Sequence, residues 1–178
     1  MTKSFIALVI LASLCALTAV AAPPSRQDAL AAIATLETDL LSESAIHAAR
    51  VVNQFAQQSD EVTFTVGRET APWVLEKRMH NERDDALYAM LLSVYLAGNA
   101  KTQLESGKAE DDPYSGWLAV IRAYRLIQTK RTIVIPSIEA LAAMEDKGTL
   151  QQHAEEVKAA NKQPAPPPTS PADHKNSF

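Results

Sequence analysis

Apolar residues recur three and four positions apart through most of the chain, the spacing that places them on one face of an α-helix. The most regular stretches are residues 87–95 and 117–127. Residues 25–58 show the same spacing with an interruption at 42–44, which predicts two helices or one long kinked helix. The pattern predicts a mainly α fold, a compact bundle of about five to seven helices.

Several predicted helix ends are marked by residue type. Ser25, followed three residues later by an acid, resembles a capping box, and Asp112 precedes a proline that suits a first helical turn. Asn81 and the acids after it predict another helix start, and Gly107 is suited to end that helix. The small residues at 97–100 either end this helix or let a neighbouring helix approach closely.

Two short segments have β-strand character. Residues 62–66 alternate apolar and hydroxyl-bearing side chains, and residues 132–135 are rich in β-branched side chains. We expect these segments to pair as a small two-stranded element packed on the helices, because an isolated pair is only marginally stable.

The two ends of the chain differ from the middle. A lysine followed by the uncharged run 5–22 predicts an export signal over 1–21, cleaved after Ala21, with an uncleaved membrane anchor as the alternative. Residues 22–162 then form one helical domain, and the proline-rich residues 163–178 form a disordered tail. Cleavage removes Cys15, the chain's one cysteine, which excludes thiol catalysis and disulfides in the mature protein.

Charge and localisation follow from the same composition. The net charge is −4, and no basic stretch stands out, so we expect no nucleic-acid partner. The chain has no Asn-x-Ser/Thr glycosylation acceptor, which together with a short signal favours a bacterial source. We expect a periplasmic or secreted protein with no membrane insertion after cleavage.

Catalytic motifs are absent from the sequence: there is no Gly-x-Ser-x-Gly elbow, no zinc-protease motif and no phosphate-binding loop. We predict no cofactor, no metal and no catalytic residue. The alternative is a metal-assisted hydrolase acting on envelope material, with His80 and Asp84 as ligands on one helix face and Glu82 as base.

The leading hypothesis is therefore a non-catalytic binding or adaptor protein of the bacterial cell envelope, for example a periplasmic protector or assembly factor, with a protein partner. Trp73, Tyr114 and Asp111 are the candidate partner-binding residues, as an aromatic anchor and an acidic run beside an aromatic ring. The simpler interpretations are that Trp73 covers its own core and that the acids cap a helix. A third hypothesis is a structural module held at a distance by its proline-rich tail.

Overall fold

The computed structural model of the protein describes residues 22–76 and 85–162. These residues form a helical bundle, which confirms the predicted mainly α fold. The helices are α1 (Arg26–Thr38), α2 (Glu43–Gln58), α3 (Trp73–Glu76), α4 (Asp85–Ser106), α5 (Pro113–Gln128), α6 (Pro136–Asp146) and α7 (Leu150–Lys162).

The first helical stretch is two helices and not one kinked helix. The Ser25 hydroxyl accepts a hydrogen bond from the Asp28 amide at 3.2 Å, and the Asp28 carboxylate accepts from the Ser25 amide at 2.9 Å. These bonds form the predicted capping box at the start of α1. The pKa of Asp28 is lowered because its carboxylate accepts hydrogen bonds from the Ser25 hydroxyl, at 2.7 Å, and from the Ser25 amide. Because the connection to α2 is short, α1 and α2 pack against each other as an antiparallel pair.

Helices α4 and α5 form the central pair of the bundle and approach closely at two glycines. A Cβ atom on Gly98 would lie 2.6 Å from the Ala119 Cβ, and one on Gly116 would lie 2.6 Å from the Tyr95 ring. The small residues at 97–100 therefore serve close helix approach, and α4 continues past them to end before Gly107, whose φ is +68°.

The core is rich in large side chains contributed by α3, α4 and α5. Trp73, Tyr95, Trp117 and Tyr124 are all buried. The Trp117 indole Nε1 donates to the carbonyl oxygen of Thr70 at 2.7 Å, which fixes the loop before α3 onto α5. This contact connects the N-terminal half of the chain to the central pair.

The predicted two-stranded element is wrong. Residues 62–66 and 132–135 are not strands, and the structure shows no strand within 22–76 or 85–162. The Gln103 side chain accepts from the Thr63 amide at 2.8 Å and donates to the Thr63 carbonyl at 2.7 Å, while the Thr65 amide donates to Asp111 at 3.1 Å. Side chains of α4 and of the loop before α5 thus take the place of a partner strand for the first segment.

The second segment is held in the same way by α5. The Tyr124 hydroxyl accepts from the Ile135 amide at 3.1 Å and donates to Glu139 Oε1 at 2.7 Å. The Gln128 side chain donates to the Ile133 carbonyl at 3.2 Å. Because these polar groups satisfy the backbone, pairing between the two segments is not needed.

Three predictions lie outside the described residues: the signal over 1–21, the tail over 163–178, and the group of Asn81, His80, Glu82 and Asp84. Among the helices that the structure describes, none has both the length and the apolar character to cross a membrane.

Candidate partner-binding site

The structure places the predicted anchor Trp73 inside the core. Its side chain is 0 % exposed, and its ring meets the Tyr95 ring edge-on with centroids 5.9 Å apart. The indole Nε1 has no hydrogen-bond partner within the described part of the chain. In this conformation Trp73 offers no surface to a partner.

The predicted acidic run at 110–112 is engaged in contacts within the fold. Glu110 lies 3.5 Å from the Lys158 ammonium, and Asp112 accepts from the Ser115 amide at the start of α5. Asp111 accepts from the Asn99 side chain at 2.6 Å and from the Thr65 amide. The neighbouring Tyr114 is half-buried against the core.

The run therefore supports the fold in the way that the simpler interpretation predicted, by capping α5 and by fixing the adjoining loop. Its members contact different parts of the molecule: Lys158 of α7, the interior face of α4, and the first turn of α5. The structure does not bring Trp73, Asp111 and Tyr114 together as one exposed surface.

A groove that the sequence did not predict opens between helices α1, α4 and α5. We call it the α1–α4–α5 groove; its volume is about 310 Å³. Eight of its lining residues are apolar or glycine, and three are charged. The lining residues are Leu36, Glu37, Leu40, Val94, Ala97, Gly98, Lys101, Ala119, Arg122, Ala123 and Leu126.

The groove follows from the close approach of α4 and α5. Because Gly98 and Ala119 have little or no side chain, the two helices meet there without filling the space above them. Leu36 of α1 and Leu40, just after the end of α1, form the opposite wall, and Leu126 of α5 remains 40 % exposed. The result is an apolar groove in which most of the apolar lining residues are buried and Leu126 is exposed to solvent.

The positive and negative charges of the groove do not cancel. Both Glu37 carboxylate oxygens lie 2.8 Å from the Lys101 ammonium, and this hydrogen bonding raises the pKa of Lys101. Arg122 is exposed and lies close enough to repel the Lys101 charge. Within residues 22–76 and 85–162 Arg122 has no hydrogen-bond or ion-pair partner, so the groove carries one positive charge in excess.

No protein-family model, curated protein sequence or solved structure matches this chain. The function of the chain is therefore inferred from the geometry of its described residues.

The remaining polar groups of the interior serve the fold. Asn99 and Gln103 are buried on α4 and bind each other at 2.6 Å as well as the loops beside them. Burial and the nearby Asp111 raise the pKa of Tyr95, which keeps its hydroxyl protonated. These groups are inaccessible to a substrate.

The two described histidines lie in separate parts of the molecule, and the His153 Nδ1 lies 4.0 Å from the Glu156 carboxylate one turn further along α7. His153 stacks on the Trp117 ring with centroids 5.2 Å apart, and His47 lines a separate depression between α1 and α2. No group of three His, Cys, Asp or Glu residues in the described ranges is arranged to hold a metal ion. Among the three charged residues of the groove, Arg122 is the one without a hydrogen-bond or ion-pair partner in the described ranges.

Proposed function

We propose that this protein is an exported, non-catalytic binding protein of the bacterial cell envelope, an adaptor, assembly factor or protector that holds a protein partner in the α1–α4–α5 groove. The observation that carries the proposal is the groove itself, in which Leu126 is exposed beside an unpaired arginine. The buried side chains of Asn99 and Gln103, in contrast, are committed to hydrogen bonds with each other and with the loops beside them.

The dimensions of the groove suit a hot spot of a protein interface. Its volume of about 310 Å³ lies at the lower end of the range of about 300–1,000 Å³ for ligand pockets. A space of this size accepts one or two large side chains of a partner. Because the groove lies between three helices, the exposed helix faces around it supply the remaining contact area.

The apolar floor also makes the groove a better candidate than the polar clefts near α7. The cleft beside Lys158 and Asn161 is lined mainly by charged and polar side chains that contact each other. Burial of such paired groups gains little free energy on binding, whereas covering exposed Leu126 removes apolar surface from water.

The experiment is affinity capture of the tagged mature protein, residues 22–178, from native envelope extract, followed by mass spectrometry. Leu126→Glu places a charge at the groove, and Val134→Glu is the matched control, because Val134 is 64 % exposed and does not line the groove. We expect one dominant protein partner that is lost with Leu126→Glu and kept with Val134→Glu. Equal capture by both variants would show that the groove is not the binding site.

The alternative metal-assisted hydrolase centred on His80 and Asp84 stays a prediction, because these residues lie outside the described ranges. Its test is the metal content of protein purified without chelator. Stoichiometric metal that is lost in His80→Ala would favour the hydrolase over the binding protein.

A further inference from the structure

We propose that the α1–α4–α5 groove recognises an acidic, apolar segment of a protein partner, with an apolar side chain on the floor and an adjacent Asp or Glu carboxylate on Arg122. This inference rests on the proposed binding function and names the chemistry of the partner.

The charge within the groove favours an acidic ligand. Glu37 neutralises Lys101 through two contacts of 2.8 Å, whereas Arg122 has no such partner among the described residues. The chain as a whole is acidic, with a net charge of −4, so a local excess of positive charge is contrary to the average surface. An arriving carboxylate would complete the pairing in the groove.

The chemistry of the unpaired Arg122 guanidinium favours a carboxylate. A guanidinium presents several donors in a fixed plane and binds a carboxylate through two parallel hydrogen bonds. The Lys101 ammonium opposes the Arg122 charge at this site, and a carboxylate on Arg122 relieves that repulsion. A basic segment would instead add a third cation.

The order of side chains along α5 indicates the pattern of the partner segment. Ala119, Arg122 and Leu126 are three and four residues apart, which places them on one helix face, and all three line the groove. This row spans about 10 Å along the helix. A partner segment lying beside α5 therefore meets an apolar, a cationic and an apolar position in turn, and the complementary pattern is apolar, acidic, apolar.

The length of that row limits the recognised segment. Side chains on one face of an extended chain are two residues, or about 6.6 Å, apart. Three side chains that face α5 therefore need a segment of about five residues. The recognition element is thus a short motif with apolar, acidic and apolar side chains at its first, third and fifth positions, and not an extended acidic tract.

The test uses a phage-displayed library of random peptides as the probe, selected on the full mature protein. We expect enrichment of peptides that carry Asp or Glu two residues from Leu, Ile, Val or Phe. Enrichment of basic or uncharged peptides, or no enrichment, would overturn the proposal.

The decisive measurement is a double-mutant cycle on one selected peptide, followed by fluorescence anisotropy. Replacing the peptide carboxylate by its amide, or Arg122 by Gln, should each weaken binding about five- to tenfold. The two changes together should weaken binding no further than either alone. Arg50→Gln is the control, because Arg50 is exposed on α2 and does not line the groove; additive losses, or equal losses from both arginine variants, would refute the contact.

Failure of this inference and failure of the binding function are separable. Loss of peptide and partner with Leu126→Glu, but not with Arg122→Gln, would remove the acidic recognition and leave the groove as the binding site. If neither change affects partner capture, the site itself is wrong. Circular dichroism of each variant shows that the helical fold is retained.

Discussion

Gln103 provides the sharpest test of how this fold is held together. Its side chain is buried on α4 and makes three hydrogen bonds: with the amide of Thr63, with the carbonyl of Thr63, and with the Asn99 side chain. The substitution Gln103→Leu replaces the amide by an apolar side chain of similar bulk and removes all three bonds. It tests whether one glutamine replaces a partner strand for residues 62–66.

The expected loss can be worked from these contacts. A protein hydrogen bond contributes about 1 kcal/mol net, so three bonds contribute about 2–3 kcal/mol to the free energy of unfolding. The Thr63 side is exposed to water, which offers its backbone groups replacement partners and favours the lower end. A domain of this size is stable by about 5–15 kcal/mol, so the variant should fold with reduced stability.

Urea unfolding followed by circular dichroism measures the loss, and amide hydrogen exchange locates it. The Thr63 amide should exchange much faster in Gln103→Leu, while the Thr65 amide, bound to Asp111, should change less. Gln57→Leu on the exposed side of α2 is the control and should change stability by less than about 0.5 kcal/mol. An unchanged exchange rate at Thr63, with a stability loss no larger than the control's, would refute the account.

Three further predictions follow from the packing. Tyr124→Phe should destabilise the protein by about 1–3 kcal/mol in urea unfolding, because its hydroxyl binds backbone and carboxylate groups. Tyr95→Phe should cost less, because the Tyr95 hydroxyl makes no hydrogen bond of normal geometry in the described residues, and equal losses would contradict this. Gly98→Ala should cost about 1–3 kcal/mol, because its Cβ would lie 2.6 Å from the backbone oxygen of Ser115, while Gly67→Ala, which meets open space, should change stability little; the reverse order would refute the close approach. Burial and the hydrogen bond with a neighbouring carboxylate raise the pKa of Tyr124 to about 12 from its ordinary 10.0. The contribution of Tyr124 to stability is therefore complete below pH 10 and is lost as the pH rises toward 12. Unfolding followed against pH should show a smaller loss of stability at alkaline pH in Tyr124→Phe, and an unchanged loss would contradict the assignment.

Much of the helical framework could be predicted from the sequence because its signals are local. The Ser25 capping box, the Asp112 cap before proline and the positive φ of Gly107 each depend on residues within one or two turns. Neighbouring residues supply both partners of each contact, so the spacing alone locates these helix ends.

The two β-like segments show where local pattern fails. Alternation in 62–66 indicates an extended, half-buried chain, and the structure agrees that one member, Val62, is buried while Val66 is exposed. The partner of the Thr63 backbone is the Gln103 side chain, which lies 40 positions away in the sequence. A buried glutamine on a helix face was the available signal, since a buried polar side chain needs partners.

The groove could not be predicted from periodicity because it is a gap between three helices. Leu36 and Leu126 fit apolar helix faces equally well whether a neighbour covers them or not, and Arg122 looks like an ordinary exposed cation. The available signal was the small residue at Gly98, which the sequence analysis connected with close approach but not with the space left beside it. The short helix containing Trp73 was also missed, because four residues give no helical period.

The acids and the arginine differ in how far the fold has already paired them. The acidic run at 110–112 contains the candidate partner-binding residue Asp111, yet its side chains are bound to Lys158, to Asn99 and to the start of α5. A charged group that is already paired within the fold attracts a partner weakly, whereas an unpaired one does not share its field with a neighbour of opposite sign. In the described residues of the groove that unpaired group is Arg122, so local pairing, and not net charge, argues for an acidic partner of an acidic protein.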